Sequence, residues 1–281
     1  MYVRNVSKSI ISRRIGLLIL CALSLILAGY VLSGSDAMSA LIVRMAFAIF
    51  GVLTIYGVSP LILESNSSRE FFQKVRWMVA LVLALVLSAL FYLLFQLDPD
   101  PIPVLKIILT IGLIGLTYSL RFSIGGKKTR LKNILVIKNL LIGVSWGLNV
   151  LLGAGGMDDR TVLTLSLFVS FQITIGSSIR DMQDIEKDRV MGIRTIPMVL
   201  GESKSILLYT ALNVLSLLAL TLSPLDPIVM WVVLMVFAWR ILHLIMLRTV
   251  RNREFWCQTY NILMGTYVLC LILIFQYISW I

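Results

Sequence analysis

Residues 179–197 read IRDMQDIEKDRVMGIRTIP and set an acidic segment against the end of a long apolar run. Asp181, Asp184 and Asp188 are spaced three and four residues apart, so on one continuous helix their carboxylates share a face. Carboxylates this close repel one another unless a cation lies between them, and Mg²⁺ is usually held by one or two carboxylates together with substrate phosphates. The spacing therefore predicts that the apolar helix continues for two turns and carries a magnesium and diphosphate site, with Glu186 on another face.

The composition around this segment is that of an integral membrane protein. Hydrophobic residues make up 59% of the 281 residues, charged residues only 14%, and the mean hydropathy is +0.95. A soluble core does not require so apolar a chain. We expect an all-α, polytopic bundle of about nine transmembrane helices, forming a single domain over residues 1–281. The apolar stretches lie at about 15–33, 45–63, 77–97, 104–120, 134–153, 161–179, 205–223, 227–247 and 258–281.

The connectors between these stretches alternate between basic and acid-rich, which predicts an orientation. Most of the 25 basic residues fall in one set of connectors, within residues 4–14, 69–76, 121–132, 180–204 and 248–253. The opposite set holds Asp36, Asp98, Asp100, Asp158, Asp159 and Asp226. We expect the N-terminus in the cytoplasm and the C-terminus outside. The net charge of +11 then faces anionic lipid headgroups and phosphorylated substrates, and nucleic-acid binding is not indicated because each basic cluster adjoins a span.

The connector between the fourth and fifth spans is a candidate phosphate site. Its Gly125-Gly126 pair precedes the closely spaced cations Lys127, Lys128 and Arg130. Phosphate oxygens that a metal leaves uncovered need such donors, although membrane topology alone also predicts some positive charge here. Just inside the fifth span, Lys138 and Asn139 are an intramembrane amine and amide. A lysine there can snorkel to the interface, but the pair also suggests a substrate-binding role for Asn139.

These features resemble the UbiA superfamily of intramembrane prenyltransferases, which are nine-helix bundles. The second Asp-rich motif of that family commonly reads D-x-x-D-x-E-x-D-R-x-x-G-x-x-T-x-P. The residues that match it are Asp181, Asp184, Glu186, Asp188, Arg189, Gly192, Thr195 and Pro197. The tract Tyr118-Ser119, followed by the basic connector and Asn139, is more loosely similar to the corresponding family region. The resemblance implies that Tyr118 contributes to substrate binding.

The family's first motif, N-D-x-x-D-x-x-x-D, is expected at the cytoplasmic end of the second span and is not present. Ser59-Pro60 stand where Asn-Asp is expected, and Pro60 breaks or kinks the end of the span. The oxygen-bearing candidates nearby are Glu64, Asn66 and Glu70. Of these, we expect Glu64 and Asn66 to support substrate binding.

The resemblance implies an enzyme that uses Mg²⁺ to bind a prenyl diphosphate, ionises it to an allylic cation and transfers the polyprenyl group to a lipophilic or aromatic acceptor. Asp181, Asp184 and Asp188 would serve as metal ligands and catalytic residues. Because the first motif is missing, three outcomes stay open. The chain is a one-metal transferase with Glu64 or Asn66 in support, a divergent member that binds prenyl diphosphates without turnover, or a cyclase. Membrane lipids are expected partners, and no obligate protein partner is indicated.

A non-enzymatic membrane scaffold or small transporter is the alternative of a different class. It would need ionisable residues within a span, and Arg240 and His243 in the eighth span form such a pair on one helical face. Packing and snorkelling account for this pair more simply than a transport pathway does. The sequence therefore favours the prenyltransferase interpretation.

Overall fold

The computed structural model describes residues 2–34, 37–58, 70–119, 121–124, 127–130, 134, 136–156, 160–190, 193–221, 225 and 227–249. Nearly all of them are helical. In chain order the elements are α1 (Tyr2–Leu32), α2 (Met38–Val52) with a π-helical extension (Leu53–Val58), α3 (Glu70–Leu97), α4 (Pro101–Ser119), β1 (Arg121–Ile124), β2 (Lys127–Arg130), α5 (Ile137–Ala154), α6 (Arg160–Arg180), α7 (Ile185–Val190), α8 (Ile196–Leu200), α9 (Glu202–Leu218) with a 3₁₀ turn (Ala219–Thr221), and α10 (Pro227–Thr249).

The helix pattern confirms the predicted all-α membrane bundle. Seven of the described helices are long and apolar enough to cross a membrane, and the shorter apolar helix Leu18–Leu32 lies where the first span was predicted. The predicted ninth span, 258–281, lies outside the described residues. The connector between α4 and α5 is not a simple loop, because β1 and β2 pair as an antiparallel hairpin in which Arg121 is opposite Arg130.

The second span begins earlier than the sequence predicted. The predicted range was 45–63, whereas α2 starts at Met38 and the apolar span covers Met38–Ile55. Arg44, one residue before the predicted range, is buried inside α2 and paired with the carboxylate of Asp98. A neutralised arginine does not have to end a membrane helix, which explains the difference.

Small residues bring the central helices α1, α5 and α6 into close contact. On α5, Gly143 and Gly147 are four residues apart, and a Cβ atom at either position would overlap with carbonyl oxygens of α6, those of Ser170 and Ser166 respectively. A Cβ atom at Gly153 would overlap with the carbonyl oxygen of Ile26 on α1. Small residues at this spacing let membrane helices pack backbone to backbone. These glycine contacts therefore set the close spacing of α5 against α1 and α6.

The outer surface is apolar on α3 and α4. Side chains such as Trp77, Leu85, Leu113 and Leu116 are exposed there. In contrast, α5 and α6 bury half of their side chains inside the bundle. This arrangement is typical of peripheral lipid-facing helices around a packed centre. Functional polar residues are therefore best sought around α5 and α6.

Candidate functional site

The acidic segment lies at one end of the bundle, where α4, α6 and α10 finish and α5 and α9 begin, which we call the basic end. Here the predicted helical continuation is wrong. The sixth span ends at Arg180, residues 181–184 form a turn, and the separate short helix α7 follows. The amides of Met182 and Gln183 bond to the carbonyls of Ile179 and Arg180, three residues back. Bonds of this type tighten and end an α-helix, so the three aspartates do not share one continuous helix.

Asp181 is the best-defined member of the site. It is buried, with 4% of its surface exposed, and both of its carboxylate oxygens have partners on α5. Lys138 Nζ lies 2.5 Å from Oδ1, and Asn139 Nδ2 donates to Oδ2 over 2.8 Å. The side-chain oxygen of Asn139 in turn accepts a hydrogen bond of 2.7 Å from the hydroxyl of Ser177 on α6. A buried carboxylate is stable only when it is paired and hydrogen-bonded in this way.

From the sequence, Lys138 could snorkel and Asn139 was a substrate-binding candidate. The structure shows that Lys138 pairs with Asp181. Asn139 is buried between Asp181 and Ser177. Its direct contact with substrate stays a prediction, and its observed contact is the orientation of Asp181.

Asp184 and Asp188 follow Asp181 on a different element. Asp184 directly precedes α7 and is partly buried, whereas Asp188 within α7 is buried. The amide of Asp188 donates to the carbonyl of Asp184 over 2.7 Å, which is a helical hydrogen bond. Residues four apart in a helix have Cβ atoms about 5–6 Å apart, and this backbone bond gives Asp184 and Asp188 the spacing of one helical turn.

The donor chemistry of this pair fits Mg²⁺. Among the described residues no group of three or more His, Cys, Asp or Glu side chains is close enough to surround a metal ion. Such a group is not required, because Mg²⁺ keeps several waters and takes one or two carboxylates together with substrate phosphates. Asp184 and Asp188 supply that number, while Asp181 is already neutralised by Lys138. The role of Asp181 as a third ligand stays a prediction.

Glu186 belongs to the solvent-facing side of α7. Its side chain is 80% exposed and forms an ion pair of 3.1 Å with Arg189, three residues later. Exposed pairs of this kind contribute little to stability. Glu186 is thus exposed, in contrast to the buried Asp181 and Asp188.

The other predicted site residues are described to different degrees. Lys127, Lys128 and Arg130 lie on β2 of the hairpin that links α4 to α5, so the chain passes from these cations to Lys138 at the basic end. Tyr118 is partly buried in the last turn of α4, at the same end. Glu64 and Asn66 lie outside the described residues. All six stay predicted substrate-binding residues.

The polar residues within the spans make more hydrogen bonds to one another than the sequence predicted. Arg240 was expected to pack or snorkel; it does not snorkel, but is buried and donates to the side chain and main-chain carbonyl of Gln172 at 3.3 and 3.2 Å. Because a guanidinium has only N–H donors, Nδ1 of His243 accepts from it at 3.0 Å. Gln172 also donates to Asn213 and Ser216. This network joins α6, α9 and α10. The rule that polar residues inside a membrane find polar partners could have predicted it from the sequence.

Comparison with known proteins agrees with this architecture. The sequence model of the UbiA prenyltransferase family matches residues 73–275. No curated protein matches the chain. Among solved structures, the fold is similar to the apo structure of a UbiA homolog from Aeropyrum pernix K1, with a TM-score of 0.68 and 16% identity over 92% of this chain and 98% of that chain.

Two further structures with a similar fold are described by a ligand or a product. One concerns digeranylgeranylglyceryl phosphate synthase in membranes, with a TM-score of 0.66 and 18% identity over 93% of this chain and 94% of that chain. The other is a UbiA homolog from Archaeoglobus fulgidus bound to GPP and Mg²⁺, with a TM-score of 0.64 and 10% identity over 92% of this chain and 95% of that chain. At these identities the similarity shows a shared fold.

Proposed function

Because the chain belongs to the UbiA prenyltransferase family, we propose that it is a membrane prenyltransferase that transfers a polyprenyl group from a prenyl diphosphate to a lipophilic or aromatic acceptor with the help of Mg²⁺. The observation that carries the proposal is the position of Asp184 and Asp188. They lie one helical turn apart at the start of α7, shortly after the buried Asp181 in the chain, at the end of the bundle that also holds the basic hairpin. The Archaeoglobus fulgidus neighbour, whose structure holds GPP and Mg²⁺, supports this class of ligand.

Different residues of the site would bind the metal ion and the diphosphate oxygens. Asp184 and Asp188 would hold Mg²⁺, and the bound ion would supply charge neutralisation that makes diphosphate a better leaving group. Lys127, Lys128 and Arg130 would donate to the remaining oxygens, since charge-assisted hydrogen bonds are the strong ones. Donors placed where negative charge develops in the transition state account for much of the acceleration in such reactions.

The apolar bundle suits the other half of the reaction. The prenyl chain is a hydrocarbon and the allylic cation is quenched by water, so the carbon skeleton has to leave the aqueous rim. Closed apolar surroundings exclude water and prevent such side reactions. We place this site at the cytoplasmic membrane surface, with the N-terminus in the cytoplasm and the C-terminus outside, because the basic connectors adjoin it. Residues 1–281 would act as one domain.

A second candidate function rests on the missing first motif. Ser59-Pro60 replace the expected Asn-Asp, so fewer carboxylates are available than two acidic clusters would provide. A protein of this kind binds a prenyl diphosphate without turnover, or cyclises it. The same assay separates the candidates, because binding without diphosphate release indicates the first alternative, and release with a cyclic hydrocarbon product indicates the second.

The test is diphosphate release from labelled geranyl and geranylgeranyl diphosphates by the purified protein in lipid nanodiscs, with Mg²⁺ or with EDTA. Transferase activity predicts release that requires Mg²⁺ and rises when a lipid extract supplies acceptor. Absence of release with every prenyl diphosphate, despite measurable binding, would support the binding-only candidate.

A further inference from the structure

The Lys138 and Asp181 pair bears on how many metal ions the site uses. We propose that the Lys138 ammonium is a built-in cation that occupies Asp181 and also donates to the substrate diphosphate, so that Mg²⁺ is held by Asp184 and Asp188 without Asp181. This inference rests on the proposed function and refines it. It assigns to Lys138 a place between carboxylate and diphosphate that a metal ion would otherwise fill.

The first step of the argument is that Asp181 is already satisfied. Lys138 Nζ is 2.5 Å from Oδ1 and Asn139 Nδ2 is 2.8 Å from Oδ2, so each oxygen has a donor from α5. Asn139 is itself fixed by the Ser177 hydroxyl. Charge-assisted hydrogen bonds are the strong ones, and breaking this one would leave the buried Asp181 carboxylate without its counter-charge. Mg²⁺ would have to displace the ammonium before it could bind Asp181.

The second step is that the ammonium has donors to spare. A lysine ammonium has three N–H donors, and the bond to Asp181 uses one of them. The Lys138 side chain is 17% exposed, which makes it more accessible than Asp181. Lys138 is also the second residue of α5, directly after the connector that carries Lys127, Lys128 and Arg130. One more donor from Lys138 extends that set of cations towards the carboxylates.

The third step concerns charge balance. A diphosphate facing three aspartates would require several cations, and the first acidic motif that helps the family to hold them is absent here. With Lys138 paired to Asp181, one of the three negative charges is cancelled by the chain itself. Two carboxylates and one Mg²⁺ then form an arrangement that is usual for this ion. The sequence departure at Ser59-Pro60 and the ion pair thus point to the same reduced need for metal.

The experiment compares Lys138→Gln, Lys138→Arg, the double variant Lys138→Gln with Asp181→Asn, and the control Lys106→Gln. Lys106 is an exposed lysine on α4, away from the basic end, so its loss changes the net charge equally. Geranyl diphosphate binding is titrated against Mg²⁺ in nanodiscs. The thermal unfolding midpoint is also measured against Mg²⁺ without diphosphate.

We expect the double variant to keep the wild-type Mg²⁺ concentration for half-maximal binding, because neither removed group holds the metal. Its affinity for geranyl diphosphate should fall about tenfold through loss of one donor. Lys138→Gln alone should respond to Mg²⁺ more strongly than wild type in thermal unfolding, since Asp181 then becomes available to a cation. Lys138→Arg and Lys106→Gln should behave as wild type in the unfolding measurement.

Any one of three results would overturn the inference. If the double variant needs about tenfold more Mg²⁺ than wild type, Asp181 is a metal ligand; if its diphosphate affinity is unchanged, Lys138 does not contact the substrate. Should Lys138→Gln fail to fold, the double variant still decides, because it removes both charges of the pair. If the wild type binds no geranyl diphosphate at any Mg²⁺ concentration, the proposed function fails. If the unfolding midpoints of Lys138→Gln and wild type respond equally to Mg²⁺, the proposed role of Lys138 as a built-in cation fails separately.

Discussion

The guanidinium of Arg44 donates two hydrogen bonds to the carboxylate of Asp98, from Nε at 2.8 Å and from Nη2 at 3.0 Å. This pair lies at the end of the bundle opposite the acidic site. The third guanidinium nitrogen, Nη1, donates to the carbonyl of Gly153 over 2.8 Å. Both side chains are buried. This bidentate pair ties α2 to the turn between α3 and α4 and to the last turn of α5. It therefore holds together the helices whose other ends carry the site.

Removing the charge of Asp98 should destabilise the protein. Asp98→Asn leaves the buried Arg44 without its counter-charge, and breaking a buried pair in this way costs about 3–5 kcal/mol. We expect a lower thermal unfolding midpoint in detergent or nanodiscs. Asp100→Asn is the matched control, because Asp100 is exposed two residues away. Equal midpoints for the two variants would show that the pair does not stabilise the fold.

Close helix contact at Gly153 gives a second stability prediction. A Cβ atom there would overlap with the main chain of Ile26, which cannot move without shifting α1. Gly153→Ala should therefore lower the unfolding midpoint, although alanine favours helix over glycine by about 1 kcal/mol. Gly112→Ala is the control, because nothing lies within 4 Å of its Cβ position. We expect Gly112→Ala to match or exceed the wild-type midpoint, and a loss there equal to that of Gly153→Ala would contradict the packing argument.

The sequence predicted the membrane bundle and the position of its acidic segment, but not how that segment bends. Spacing along the chain reports local periodicity, whereas Asp181, the first residue after α6, pairs with Lys138, which is 43 residues distant. The same holds for Arg44 and Asp98, which are 54 residues apart. Partners so far apart in sequence leave no periodic signal. Only the general rule that buried charges are paired could have anticipated them.

The β1–β2 hairpin was also not predicted, although the residues that indicate it are adjacent in the sequence. Gly125-Gly126 stand between the segments that pair as β1 and β2. Two glycines between short strands are a recognised hairpin turn, because glycine readily adopts positive φ. The prediction for this connector rested on the charge of its basic residues and not on its backbone conformation. Recognising the turn would have predicted the hairpin without any structure.

Orientation gives a prediction that labelling can check. The connectors around residues 64–76, 121–133, 180–204 and 248–254 carry most of the basic charge and should face the cytoplasm. In a version lacking Cys21, Cys257 and Cys270, a single cysteine in place of Glu186 should resist impermeant thiol reagents in intact cells. A cysteine in place of Asp100 should react. Labelling of the Glu186 position from outside would reverse the proposed topology.

The hairpin cations should contribute to diphosphate binding rather than to metal binding. Replacing Lys127, Lys128 and Arg130 together with Gln removes three donors for phosphate oxygens and no carboxylate. We expect weaker geranyl diphosphate binding in nanodisc titrations, with the dependence on Mg²⁺ retained. Replacing Lys106 and Arg160 with Gln, both exposed at the opposite end, removes two positive charges and controls for most of the change in net charge. An affinity equal to wild type in the triple variant would leave the hairpin with a topological role alone.

Asp184 provides the most direct test of the chemistry. Asn in its place keeps the size of the side chain but removes a full negative charge from a site for a hard cation. Asp184→Asn should therefore abolish Mg²⁺-dependent diphosphate release while membrane insertion and the unfolding midpoint stay near wild type, and Asp188→Asn should do the same to the release. Asp100→Asn, the same replacement at the opposite end, should keep wild-type activity.

Glu64→Gln should have a smaller effect than either aspartate variant, on the order of tenfold, if one supporting interaction worth roughly 1.4 kcal/mol is lost. The graded order follows from what each residue is expected to contact. Asp184 and Asp188 act on the metal itself, whereas Glu64 belongs to the segment where the first motif is degenerate. Diphosphate release assayed side by side in the three variants gives the order, and full activity in Asp184→Asn would refute the assignment of the site to this segment.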